Sequence, residues 1–212
     1  MKVSLFICLQ LAFLLSGAQK KANIEPKQDL TPSGIVATIT KNTVNLADGK
    51  RLDYTAFTGY LNLQNDTGKL IAKIFFTYYK KNSEDPATRP VCFTFNGGPG
   101  SSSVWLHMGG LGPRRVLLQD DGTAPPPPYK IINNEYTWLD KTDLVFIDPV
   151  STGFSIAAPG EKPAGFHGFV EDVQSIGAFI RSFLSKYERW SSPKYLAGKV
   201  MALPGLQACR NI

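Results

Sequence analysis

Phe95-Asn96-Gly-Gly-Pro-Gly-Ser-Ser-Ser103 is the stretch of this 212-residue chain whose residue types and spacing suit chemistry best. Adjacent glycines let a backbone approach a ligand closely and let two N–H groups point the same way. In acyl transfer, such a pair of donors holds the oxyanion of the tetrahedral intermediate. A phosphate-binding loop is also glycine-rich, but no Gly-Lys-Ser/Thr ending follows here. On the glycines alone, a plain turn stays open as an alternative.

The elements around that loop must position it. Val91-Cys-Phe-Thr-Phe95 is a short apolar run bounded by a proline and the glycines, which predicts a strand buried on both faces. Asp143-Leu-Val-Phe-Ile-Asp148 has the same character. Between them, the prolines at 125–128 predict a stiff extended spacer, with a proline-rich ligand motif as the sharper alternative. Residues 169–190 read as a helix, because Val173, Ile176, Ile180, Phe183 and Tyr187 recur at helical spacing. Glu171 and Asp172 sit early in it and Lys186 and Arg189 late, as the helix dipole favours. Ser191-Ser-Pro193 ends the helix, and the chain returns to strand at 194–197. Upstream, runs at 35–40, 56–63 and 70–79 are separated by turn signals and predict an antiparallel meander, followed by a polar loop at 82–90. The fold class expected is therefore α/β: a β meander leading into part of a central sheet.

Longer matches extend the first motif. Asn96-Gly-Gly-Pro-Gly-Ser-Ser-Ser103, Leu111-Gly-Pro113, Asp143-Leu-Val-Phe-Ile-Asp-Pro-Val150 with Thr152-Gly-Phe-Ser155, and Ser192-Pro-Lys-Tyr-Leu-Ala-Gly198 occur in that order. Together they closely resemble the serine carboxypeptidase family of α/β-hydrolases, over about the first half of a full-length member. Ser101 replaces the cysteine common in eukaryotic relatives, which points to the bacterial branch. The resemblance implies a peptide or protein substrate and an acyl-enzyme formed through serine. It implies that Gly98 donates one oxyanion N–H, and that Asn96 and the Gly97 N–H bind the free carboxylate of a peptide C-terminus. Many members carry a glutamate before Leu-Gly-Pro that assists this carboxylate, and Gly110 stands there instead. A related esterase or amidase, or a non-catalytic peptide-binding protein, are the alternatives. His107 and His167 match no triad position and are expected in surface or loop roles.

Family members continue from Ala-Gly into Glu-Ser-Tyr-Gly, the sharp turn that exposes the serine. Here Lys199, Val200, Met201 and Ala202 follow Gly198, so Val200 occupies the nucleophile's place and no catalytic residue is present. In this fold the acid and the histidine follow the serine, which places them beyond Ile212. One permitted coding string for residues 198–212, with a single G restored after the Gly198 codon, reads Gly-Glu-Ser-Tyr-Gly-Thr-Thr-Arg-Ala-Ala-Gly-Leu-Pro-Glu-Tyr. A one-base frameshift at position 199, giving a truncated α/β-hydrolase with an aberrant tail, is the expectation.

Composition bounds the rest. Lys2 followed by a largely apolar run and Ser16-Gly17-Ala18 reads as a secretory signal over residues 1–18. The apolar run is shorter than the ~20 residues a membrane span needs, so no stable anchor is expected after cleavage and the chain is expected to be secreted or periplasmic. Residues 19–33 read as a flexible leader, 34–198 as the hydrolase half-domain and 199–212 as the tail. The net charge of +6 is spread over pairs such as Arg114-Arg115, without a basic stripe interleaved with aromatics, which argues against nucleic acid. Cys92 is the one thiol of the body and reads as a small core hydrophobe. No metal cluster or dinucleotide motif is visible, so no cofactor is implied.

Overall fold

A computed structural model describes residues 28–30, 36–96 and 100–198. The expected signal at 1–18, most of the leader, Gly97, Gly98 and the tail at 199–212 with Val200 lie outside the described residues.

Strands come first along the chain because β-branched and aromatic residues alternate with polar ones. β1 (Gln28–Leu30), β2 (Val36–Asn45), β3 (Arg51–Gln64) and β4 (Leu70–Lys81) follow one another as antiparallel neighbours. The expected meander is thus present, but its strands are longer than the sequence runs suggested. β3 already begins at Arg51, where exposed and buried residues alternate with the two-residue period of a half-buried strand. Part of the stretch expected to be a flexible leader forms β1.

β5 (Val91–Phe95) and β8 (Asp143–Ile147) are buried at every residue, as their largely apolar runs favour, with Thr94 and Asp143 the polar residues among them. They pair in parallel, and β10 (Lys194–Gly198) pairs in parallel on the far side of β5. β8 lies antiparallel against β4, so meander and parallel strands form one continuous sheet in the order β1-β2-β3-β4-β8-β5-β10. The two-residue β9 (Ile156–Ala157) pairs with the start of β4, beyond the point where β8 leaves it. A short hairpin of β6 (Arg114–Val116) and β7 (Ile131–Asn133) stands apart. It absorbs Arg114 and Arg115, and the intervening proline run bends, with a cis Pro127–Pro128 bond, rather than running straight.

The pleat divides the core into two layers. Val91, Phe93, Phe95, Val145 and Ile147 face Ile176, Phe179, Ile180 and Phe183 of α2 (Phe169–Lys186). Cys92, Leu144 and Phe146 face the other way, against Tyr54, Tyr79 and Leu139. On that side α1 (Val104–Leu106) widens into a π turn (His107–Leu111), and Leu106 of the first and Leu111 of the second complete the layer. The fold is α/β, as expected, with the sheet covered on both faces.

The predicted helix ends four residues earlier than its apolar stripe suggested. Tyr187 closes it, Glu188 takes a left-handed φ of 54°, and the Arg189 N–H returns to the Leu184 carbonyl at 2.8 Å. This is a Schellman ending. Arg189 is consequently not a last-turn cation. It is wholly buried, and its guanidinium bonds Asp143, Tyr78, Ser192 and the Arg89 carbonyl.

Candidate functional site

Three parallel strands deliver their carboxyl ends to one edge of the sheet, where ligands gather in open α/β sheets. β5 ends there and passes into buried Asn96; β8 ends there and passes into buried Asp148. In β10, Gly198 pairs with Phe95, so that strand ends level with the start of the glycine loop.

Asn96 and Ser101 stand at the two ends of that loop. The Asn96 Nδ2 donates to Ser101 Oγ at 2.6 Å, while Gly100 takes a φ of +82° that L side chains resist. Asn96, expected as a carboxylate ligand, thus lies at the carboxyl edge, held by its own loop. Gly97 and Gly98 complete the expected constellation but fall outside the described residues.

Ser103 anchors the loop to the sheet. Its hydroxyl donates to the Ile147 carbonyl, and its N–H donates to Asp148 Oδ1 at 2.8 Å. The other carboxylate oxygen, Oδ2, accepts from the Phe154 N–H at 3.4 Å. Burial pushes the Asp148 carboxyl above its ordinary range, and the two backbone N–H groups oppose that rise. In the sequence Asp148 is legible as the end of a strand and as part of the motif at 143–150, with no role of its own. A carboxylate closing the four-residue apolar run of Leu144, Val145, Phe146 and Ile147, with a glycine five residues on, is the available signal.

Gly110 sits in the exposed part of the π turn, and a side chain there would meet open space. Its carbonyl accepts from Asn134 Nδ2 at 2.7 Å. The absence of a carboxylate at this position is therefore a matter of sequence, not of steric exclusion.

His107 departs from the surface or loop role expected of it. Its ring stacks on Phe146 with centroids 4.3 Å apart, and Nε2 lies 2.6 Å from the Tyr79 hydroxyl. Burial lowers its pKa to about 4, so the ring is neutral at pH 7. His167 is exposed, just after a short 3-10 turn (Pro163–Phe166), in keeping with a loop role. Cys92 is buried in the core, and burial pushes its thiol up to about 11. Among the described residues, no group of three or more His, Cys, Asp or Glu could hold a metal ion, and no helix is long and apolar enough to cross a membrane.

Comparison with known proteins gives these positions a context. The sequence model of the family described as serine carboxypeptidase matches residues 47–201. Serine carboxypeptidase-like 33 of Arabidopsis thaliana is 35% identical over 69% of this chain and 29% of its own length. Carboxypeptidase Y of Saccharomyces cerevisiae is 29% identical over 64% of this chain and 22% of its own. A pheromone-processing carboxypeptidase of the same yeast is 34% identical over 53% and 14%. The chain thus spans less than a third of the length of these relatives. Among solved structures, a peroxisomal alpha-beta-hydrolase of S. cerevisiae aligns over 82% of this chain with 12% identity and a TM-score of 0.36.

Proposed function

The chain belongs to the serine carboxypeptidase family, and on that premise we propose that residues 34–198 are the N-terminal part of a carboxypeptidase-type domain that cannot catalyse with the residues it has. The observation that carries this reading is the register of β10. Gly198 lies opposite Phe95, so β10 ends level with the residue that precedes Asn96. Family members place their serine two residues on from this glycine, and here that residue is Val200, which has no hydroxyl to attack a carbonyl. Gly98 as oxyanion donor, and Asn96 with Gly97 as the carboxylate site, belong to the same proposal. The parent reaction would be acyl transfer from the C-terminal peptide bond to serine, with a histidine as general base.

The expected result with the purified chain is no turnover of an N-blocked peptide; turnover abolished by a serine-directed inhibitor would overturn the reading. Val200→Ser alone is expected to leave the chain inactive. It restores a hydroxyl but not the turn, because Lys199, Met201 and Ala202 stand where the family has Glu, Tyr and Gly.

The tail at 199–212 is read as a one-base frameshift, supported by the family-like alternative reading of residues 198–212. Resequencing the DNA around codon 199 tests it, and an intact frame with no such reading sinks it. Residues 1–18 are read as a secretory signal; a mature N-terminus that retains Met1 after expression in a secreting host would refute that. Ser101 remains the residue that argues for the bacterial branch, while the relatives named above come from a plant and a yeast.

A further inference from the structure

We propose that Asp148 is a positioning residue for the glycine loop: its carboxylate ties Ser103, at the loop's far end, to Phe154 in the turn that follows β8. The proposal rests on reading Asn96, Gly97 and Gly98 as the substrate-facing segment, and it adds a residue that fastens the chain just beyond that loop, at Ser103.

Asp148 is itself immobilised from both sides. Its N–H donates to the Phe75 carbonyl at 3.1 Å. Its carbonyl accepts from Ser155 Oγ at 2.6 Å, and that oxygen accepts from the Phe75 N–H at 2.7 Å. The main chain of Asp148 is therefore pinned to β4, and its carboxylate reaches what the two loops bring to it. One loop brings the Ser103 N–H and the other the Phe154 N–H. Gly153 makes the approach possible: with a φ of +51°, a Cβ there would overlap both Asp148 Oδ2 and Ser102 Cβ. The two loops are thus in direct contact across a position that excludes any side chain.

Among the described residues no cation pairs with this carboxylate. Burial raises its pKa, and the two backbone N–H groups lower it. In such a site, hydrogen bonds to the charged form carry the satisfaction of the group. An asparagine keeps the shape but presents an NH2 group to one of the two N–H donors, which breaks the tie on that side.

The experiment compares Asp148→Asn with the full chain, by hydrogen exchange and mass spectrometry at submicromolar concentration, below the range where self-association is expected. The peptide covering residues 100–106 or the one covering 151–157, whichever faces the new NH2 group, is expected to exchange at least about tenfold faster in the variant, the scale of one lost charge-assisted hydrogen bond. Peptides covering 143–147 are expected to be unchanged. Wild-type exchange in both segments overturns the proposal. If the variant does not fold, the full chain in sub-denaturing urea decides. The two segments are expected to lose protection with the same urea dependence, and separate dependences overturn the tie. Binding of an N-blocked dipeptide with a free carboxylate, against its amide, tests the site reading separately. Equal affinity for acid and amide sinks that reading and leaves the exchange result to judge Asp148.

Discussion

Arg189 is the largest side chain wholly removed from water, and Asp143 neutralises it from 46 residues away. Arg89 shares the same carboxylate at 2.7 Å, and Tyr78 donates to it while accepting from Arg189 at 2.6 Å. Removing one member of a buried ion pair costs about 3–5 kcal/mol, because the partner keeps its charge without its solvent. Arg189→Met is expected near the low end, about 3 kcal/mol, since Arg89 still serves Asp143. Urea unfolding measures it, and a loss below about 1 kcal/mol would show the network to be incidental. His107 sets a pH dependence. Its folded pKa of about 4 lies below the ordinary 6.5, so its contribution is full above pH 6.5 and is lost as pH falls through about 4. Allowing for the residue's partial exposure, roughly 2 kcal/mol should disappear across that window. In His107→Gln this part of the acid limb is expected to flatten, and an unchanged limb in a pH series of melting curves would refute the assignment.

At the scale of elements, apolar runs and periodicity were readable and endings were not. β5, β8 and α2 follow from short, largely apolar runs and from the stripe of Ile176, Ile180 and Phe183. The helix end was misplaced because Tyr187 continues the stripe, whereas the chain turns at Glu188. Glu188 is exposed and carries a φ of 54° that glycine adopts without steric cost. Glu188→Gly is therefore expected to leave stability unchanged or raise it by up to about 1 kcal/mol, in contrast to a glycine placed inside the helix. Thermal unfolding decides, and a marked loss would mean that the Glu188 side chain carries a contact of its own. The glycine loop was legible in the sequence as chemistry, but its fastening through Asp148 was not, because the donors are backbone N–H groups. No residue type announces which amide a carboxylate will accept from.

For the whole molecule, the unequal burial of the parallel strands matters most. β5 and β8 are buried throughout, while β10 has a partner on one side only among the described residues, and Tyr195 on it is 58% exposed. An open, apolar strand edge is a template for pairing with another chain. The 212-residue chain is expected to self-associate at micromolar concentration, and Tyr195→Lys is expected to slow this several-fold, as charged edge residues do. Light scattering over time reads both, and a stable monomer would remove the argument. The sequence by itself determined the family, through motifs in a set order, because residue types at fixed spacing need no fold to be read. Only the tertiary structure decided that Arg189 leaves its helix for Asp143, that His107 is drawn against Phe146, and that Asp148 joins two loops. Those outcomes depend on which distant groups share a space too dry to leave a charge or a polar atom alone, and local residue patterns carry no record of that.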